Sequence, residues 1–174
     1  SDFMFWRMSQ DVVWHKPVGS GWVTDRFRRV HEHALHFYRG NWNDVYHDTP
    51  RDAYYGPRVD VGRRSGRDDS QHRALRPGAD YVDDGTRLAE TVLKVGTCHG
   101  SALHPTQKPV GILAPLLHYG CPPGGTVLDP FAGSGSTGEA ARLSGRRAVL
   151  VEAHEPYCET MAGRFAQGFL ADIT

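Results

Sequence analysis

Cysteine is scarce in this sequence of 174 residues, which contains Cys98, Cys121 and Cys158 and no C-x-x-C pair. A zinc knuckle and a disulfide framework therefore find no support. Three free thiols are typical of a reducing cytoplasm, where we expect the protein to reside. Long apolar runs are also missing, since none approaches the roughly 20 residues of a membrane helix. The start does not resemble a secretory signal, and we expect no membrane partner.

Net charge is missing as well, because 20 Lys and Arg residues balance 20 Asp and Glu residues. Nucleic-acid binding would therefore depend on a local patch. The apolar share is low, at 39%, and 20 Gly and 11 Pro indicate a loop-rich chain. Seven Phe, seven Tyr and four Trp still suffice for a core. The chain begins at Ser1 and enters an apolar run at once, so we expect a further segment upstream.

Three stretches are expected. Residues 1–39 contain a predicted strand at Asp11–Trp14, and Ala34–Tyr38 fits a strand or a helix, of which its aromatic residues favour the strand. Residues 40–103 have weak periodicity, and their arginine-rich part is compatible with a solvated loop or with phosphate contacts. Residues 104–174 are the organised part.

Within that last stretch, the spacing of apolar residues predicts a helix over Pro109–Tyr119. Buried strands are predicted at Thr126–Asp129 and Ala148–Val151, each followed by a helix, over Gly135–Ser144 and Glu155–Phe169. This βαβα order predicts a parallel sheet.

The first of those strands leads into Gly133-Ser134-Gly135-Ser136-Thr137-Gly138, which fits G-x-G-x-x-G. Glycines after a strand let a ligand approach the backbone and the free N–H groups of the next helix. Glu152 ends the second strand, where a carboxylate can accept the hydroxyls of a ribose. A nucleoside-containing ligand is therefore expected.

Asp129 argues against a dinucleotide. A carboxylate beside a pyrophosphate costs about 1 kcal/mol at 4 Å even in water, whereas a cationic ligand would gain. S-adenosylmethionine has a ribose, a sulfonium and an ammonium but no phosphate, so the acidic residues favour it over NAD. The alternative is that Asp129 only caps the turn. No G-x-x-x-x-G-K-[ST] loop occurs, which excludes that nucleotide site.

Two motifs carry a family resemblance. H-P-T-Q-K-P at 104–109, followed by D-P-F-A-G-S-G-S-T at 129–137, resembles the DNA amino-methyltransferases of the permuted β-type order. Residues 13–17 and 26–37 resemble a middle block of that family. The resemblance implies a Rossmann-like α/β methyltransferase fold with a mostly parallel sheet, incomplete at its N-terminus. It divides the chain into part of the catalytic half (1–39), a loop-rich insertion that could recognise the target (40–103) and the cofactor-binding half (104–174).

The function implied is S-adenosylmethionine-dependent methylation of adenine N6 or cytosine N4 in double-stranded DNA, as in restriction–modification systems. A second copy of the chain is a further partner to consider. The residues implied at the cofactor are Thr106, Lys108, Asp129, Phe131, Gly133, Ser134, Gly135, Ser136, Thr137 and Glu152. The roles of Thr106 and Lys108 rest on the resemblance alone.

The base-binding tetrapeptide [DNS]-P-P-[YFW] of these enzymes does not occur in the sequence. No catalytic residue is therefore assigned. The chain is either the C-terminal portion of a methyltransferase or a cofactor- and DNA-binding module that needs another chain or segment. A dinucleotide oxidoreductase is the third alternative.

The middle block suggests DNA contacts from Trp14, Lys16, Arg26, Arg28 and Arg29. For Trp14 we favour packing in the core over DNA contact, and simple solvation is the alternative for the arginines. The histidine-rich run at 31–36 lacks the spacing of H-E-x-x-H, so no metal site is expected.

Overall fold

A computed structural model of the chain describes residues 5–17, 24–53, 86–98 and 100–171. These fall into two compact units, one formed by residues 1–50 and 90–174 and the other by residues 51–89. The boundaries predicted from the sequence, at 39/40 and 103/104, stay a prediction. Most of the arginine-rich segment that begins at Arg51 lies outside the described residues.

The N-terminal part of the larger unit is an antiparallel hairpin. Strand β1 (Arg7–His15) pairs with β2 (His31–Tyr38) along its whole length, with a register shift between Met8 and Gln10. Both predicted strands are confirmed, and both are longer than predicted. A 3₁₀ turn follows at Trp42–Asp44. Strand β5 (Val92–Lys94), which the sequence did not predict, lies parallel to β1 on its other edge.

The smaller unit contributes two short antiparallel strands, β3 (Arg51–Ala53) and β4 (Thr86–Leu88). The Arg51 side chain donates from Nε to Thr86 Oγ1 at 2.7 Å, a hydrogen bond that runs diagonally between the two strands.

The C-terminal part has the predicted βαβα order. Helix α1 (Val110–Gly120) precedes β6 (Thr126–Asp129), α2 (Ser136–Leu143), β7 (Arg147–Leu150) and α3 (Glu155–Ala171). Strands β6 and β7 are parallel, with Asp129 opposite Leu150, as the predicted crossover requires. The carboxyl end of β6 and the start of α2 therefore meet at one edge, which positions the glycine turn.

Burial of β6 and β7 is where the prediction is wrong. Both strands alternate between exposed and half-buried positions, with Leu128 64% and Val149 51% exposed. Within the described ranges these two strands form a sheet of their own, with no third strand at either edge. Apolar runs of this kind are typical of strands inside a larger sheet, and the described residues place no further strand beside β6 and β7.

The buried residues lie mainly on strand β1 and on the first two helices. Val12, Trp14, Ile112 and Tyr119 are each at least nine-tenths buried, and Ala140 and Ala141 are inaccessible where α2 packs on α1. The Trp14 indole N–H donates to Val95 O at 2.8 Å, which ties β1 to the chain after β5.

Candidate functional site

The turn between β6 and α2 has the backbone that its glycines predict. Gly133 and Gly135 have φ of +53° and +78°, a region that other residues rarely adopt. A Cβ on Gly138 would lie 2.6 Å from Phe165 Cζ and 2.7 Å from Leu150 Cδ1. The first two glycines therefore allow the tight turn, and the third lets α2 approach α3 and β7.

Asp129 is held over this turn by two hydrogen bonds. Its Oδ1 accepts from the Phe131 N–H at 3.0 Å, and its Oδ2 accepts from Thr137 Oγ1 at 2.6 Å. The turn-capping alternative is thus an observed feature of Asp129. The two capping hydrogen bonds leave the carboxylate able to accept further ones, because a carboxylate has about four acceptor positions.

Glu152 reaches the same turn from the end of β7. Its Oε1 accepts from the His154 N–H at 2.9 Å and its Oε2 from the Gly133 N–H at 2.8 Å. The backbone N–H groups of His154 and Gly133 hold the pKa of this carboxyl below its usual value. Glu152 is therefore an anion at neutral pH, oriented toward the turn.

The opposite wall comes from the H-P-T-Q-K-P segment. The His104 ring lies 3.4 Å from the Cβ position of Gly133, and it contacts the Tyr157 ring with centroids 4.2 Å apart. Thr106 lies beside it, with Oγ1 3.1 Å from His104 Nδ1. His104 and Tyr157 were not identified from the sequence as site residues, although His104 opens the motif.

A cavity of about 80 Å³ lies between this wall and the turn. All the predicted cofactor residues line it except Gly135 and Glu152, and His104, Gln107, Leu113 and Ala132 complete the lining. Lys108 and Thr106 are thus brought together with Asp129 around one cavity.

The side chains around the cavity differ in their exposure and in the hydrogen bonds they already make. Phe131 is 88% exposed, whereas Ser134 is buried and donates to Gln107 Oε1 at 3.0 Å. Ser136 is also buried. The Thr137 hydroxyl is engaged by Asp129, so a contact from Thr137 to a ligand carboxylate would require that hydroxyl to turn away.

Arg164 was not identified from the sequence, and nothing in the motif pattern indicates it. Its guanidinium donates to Ser134 O at 3.0 Å and to Ser136 Oγ at 3.4 Å, and it pairs with Glu139. Through Arg164, helix α3 thereby contacts the glycine turn at Ser134 and Ser136.

A larger cavity, of about 510 Å³, lies between α2, β7 and α3. Leu150, Met161 and Phe165 are among its apolar lining residues, and it contains none of the predicted site residues. We therefore assign the candidate site to the smaller cavity, where the acidic and hydroxyl side chains converge.

The residues predicted to contact DNA separate into two groups. Trp14 is only 5% exposed and Lys16 only 8%, which favours core packing for Trp14, and DNA contact by these two residues stays a prediction. Trp14 packs in the core, and Lys16 is paired with Glu32 at 2.9 Å. Both side chains are buried because the hairpin places them on its inner face.

The arginines remain on the surface. Arg26, Arg28 and Arg29 are exposed, and Arg26 pairs with the neighbouring Asp25. Between them, Phe27 is fully exposed. Phe27 was not identified from the sequence, although its position inside an arginine cluster is a visible signal.

The histidine-rich run is occupied by other contacts. His33 Nδ1 lies 2.9 Å from Asp11 Oδ2, and the His31 and His33 rings meet edge to face. In the part of the chain that the structure describes, no cluster of three potential metal ligands is found. Among the same residues, no helix has the length and apolar character needed to cross a membrane.

Comparison with known proteins identifies the family of this chain. Residues 2–163 match the family model described as DNA methylase. The type II methyltransferase M.XycI of Xanthomonas campestris pv. cyanopsidis is 29% identical over 160 residues, which is 91% of this chain and 44% of that protein. YubD of Escherichia coli (strain K12), named as a candidate methylase, is 53% identical over 58 residues, 33% of this chain and 26% of that protein.

Among solved structures, the complex of M1.HpyAVI with SAM superposes with a TM-score of 0.60 at 21% identity, covering 94% of this chain and 66% of that one. This likeness confirms the Rossmann-like fold. The chain spans less than half the length of the two relatives named above.

Proposed function

The chain belongs to the DNA methylase family, and from that premise we propose that it forms the cofactor-binding part of an S-adenosylmethionine-dependent enzyme. Its substrate is an exocyclic amine of DNA, adenine N6 or cytosine N4. The observation that carries the proposal is the pair of carboxylates, Asp129 and Glu152, fixed at the glycine turn by hydrogen bonds.

The cavity residues fit this cofactor. Asp129 and Glu152 place two negative charges around the turn, which favours a ligand with a sulfonium and an ammonium and opposes one with a pyrophosphate. Each carboxylate keeps acceptor capacity beyond its backbone and hydroxyl partners. Gly133 lines the cavity without a side chain, and a Cβ at this position would lie 3.4 Å from the His104 ring.

When bound, the cofactor supplies an activated methyl group. Asp129 orients its cationic end, and Glu152 accepts hydrogen bonds from the ribose hydroxyls. The exposed Phe131 ring offers an apolar surface beside the turn. Thr106 and Lys108 close the opposite wall.

No residue of this chain is proposed as catalytic, because the base-binding tetrapeptide is absent. Two features support the alternative that chemistry needs a further segment or chain. The cavity of about 80 Å³ is well below the roughly 300–1,000 Å³ of ordinary ligand sites. Parallel sheets are normally covered on both faces, whereas β6 and β7 expose Leu128 and Val149.

DNA contact is proposed for Arg26, Arg28 and Arg29, with Phe27 as an apolar group among them. Residues 40–103 are proposed to recognise the target sequence. Three phosphate contacts predict a slope of about −2.7 for log K against log salt. Arg28→Ala should flatten that slope by about 0.9, whereas the exposed Arg147→Ala on β7 should not. A salt-independent affinity would contradict the assignment.

We also propose a biological role and a cellular location. The name of the type II relative supports a restriction–modification role, and free cysteines support the cytoplasm. A homodimer stays a prediction.

Equilibrium dialysis with labelled S-adenosylmethionine, competed by NAD, tests the cofactor assignment. We expect saturable binding that an excess of NAD leaves intact. Tighter binding of NAD would contradict the proposal and favour a dinucleotide oxidoreductase.

A further inference from the structure

A single carboxylate, that of Glu32 on β2, receives two lysine ammonium groups. Lys16 Nζ lies 2.9 Å from Oε1, and Lys108 Nζ lies 3.2 Å from Oε2. Lys16 follows β1 directly, whereas Lys108 precedes α1 and belongs to the wall of the candidate cofactor cavity. We call Lys16, Glu32 and Lys108 the lysine clamp.

The clamp lies against a rigid part of the core. The two ammonium groups lie 5.6 Å (Lys16) and 5.9 Å (Lys108) from the centroid of the Trp14 ring. Trp14 and Lys16 are both more than nine-tenths buried, and the Trp14 indole is fixed by Val95. Attraction between a cation and an aromatic ring strengthens when the pair is shielded from water. The carboxylate thus anchors Lys108 to a part of the molecule that does not belong to the cavity.

Lys108 transmits this anchoring to the wall. Its Nζ also donates to Thr106 O at 3.3 Å, and the Thr106 N–H and hydroxyl lie within 3.2 Å of His104 Nδ1. His104 in turn faces Gly133 across the cavity. A continuous series of contacts therefore runs from β2 to the glycine turn.

We propose that Glu32 is a positioning residue that holds wall residues 104–108 against the β1–β2 hairpin and so sets the shape of the cofactor cavity. Its consequence for cofactor affinity rests on the proposed function. Its consequence for the wall itself does not. Glutamine cannot replace Glu32 because its amide offers one acceptor oxygen and turns two N–H donors toward an ammonium.

The position of wall residues 104–108 can be monitored in the protein without cofactor. The chain contains three lysines, Lys16, Lys94 and Lys108, so acetylation by acetic anhydride can be read at each by mass spectrometry. The exposed Lys94 on β5 is the internal reference. Hydrogen exchange at the Gln107 amide, which donates to His104 O at 3.0 Å, reports on the wall backbone.

In Glu32→Gln we expect Lys108 acetylation and Gln107 exchange to rise about tenfold or more relative to Lys94 and to the wild type. Lys108→Met should raise Gln107 exchange similarly while leaving the pair between Lys16 and Glu32 intact, so it keeps the test open if Glu32→Gln fails to fold. Asp11→Asn removes the carboxylate that contacts His33 on the same hairpin and should change neither readout. Unchanged Lys108 acetylation in Glu32→Gln, or unchanged Gln107 exchange in both variants, would overturn the proposal.

Cofactor affinity supplies the second arm. If Glu32 acts through Lys108, the two substitutions should each weaken S-adenosylmethionine binding, and the double variant should be no weaker than the worse single variant. Additive losses would contradict action through Lys108. If the wild type binds no cofactor while the wall readouts respond as expected, the proposed function fails and the positioning role stands.

Discussion

Asp129 illustrates how one side chain can serve the turn and the ligand together. Its hydrogen bonds to Phe131 and Thr137 shape the start of α2, and under the proposed function its charge selects the ligand that binds beside that turn. Asparagine can meet the capping role alone, because its Oδ1 accepts from the Phe131 N–H and its amide N–H can donate to the Thr137 hydroxyl oxygen. The ligand role requires the charge.

Asp129→Asn therefore separates the two roles. We expect S-adenosylmethionine binding to weaken by about tenfold or more, because hydrogen bonds and contacts to a charged group are worth about 1.5–3 kcal/mol. The melting temperature should change little. Isothermal titration calorimetry beside thermal unfolding measures both, with the exposed Glu159→Gln on α3 as control. A large loss of stability with unchanged affinity would assign Asp129 to the turn alone.

Gly138 tests the packing behind the turn. Ala at this position places its Cβ 2.6 Å from Phe165 and 2.7 Å from Leu150, and such overpacking costs about 1–3 kcal/mol. Gly163, on α3, has no atom within 4 Å of its Cβ position. Gly163→Ala should therefore stabilise the chain by about 0.5–1 kcal/mol through helix propensity. Urea denaturation of the two variants should give opposite signs, and equal effects would contradict the packing.

At the scale of the elements, the sequence was most informative where local patterns decide the structure. The apolar spacing of α1, the strands β6 and β7, and the turn between β6 and α2 could all be predicted, because periodicity and glycine geometry are local. The extent of β1 could not, because β2 determines how far the pairing runs. The clamp could not either, since no local pattern relates Glu32 to Lys108.

Two carboxylates that join elements make stability depend on pH. Lys16 is the main cause that lowers the pKa of Glu32, and backbone N–H groups lower that of Glu152, each from a reference of 4.5. A lowered folded-state pKa means that the unfolded chain binds protons more readily, so each group stabilises the fold above pH 4.5 and loses that contribution as the pH falls through its folded value.

We therefore expect urea midpoints to fall as the pH decreases below about 4.5. A Glu32→Gln, Glu152→Gln double variant should be less stable at pH 6 and should show a flatter profile below pH 4.5. Burial lowers the pKa of His36 from 6.5, so its contribution to stability starts to fall as the pH drops below 6.5, before the contributions of the two carboxylates begin to fall. A double variant with the same slope as the wild type below pH 4.5 would contradict the assignment.

At the scale of the whole molecule, the fold explains both what the chain can bind and what it lacks. The parallel pair β6–β7 and its glycine turn form one side of the proposed cofactor site, and the hairpin carries Lys16 and Glu32 of the clamp that we propose holds the other side. The described residues leave both edges of β6–β7 unpaired. The exposure of Leu128 and Val149 and the missing base-binding motif both support the proposal that a further segment or chain completes the sheet and the catalytic site.

Methyl transfer tests this account most directly. The 174-residue chain, alone and within its full reading frame, would be incubated with labelled S-adenosylmethionine and unmethylated DNA, and the digested nucleosides would be identified. We expect label in N6-methyladenine or N4-methylcytosine from the full reading frame, its loss in Asp129→Asn, and none from the 174 residues alone. Label that is independent of Asp129, or no label in either base from the full reading frame, would contradict the account.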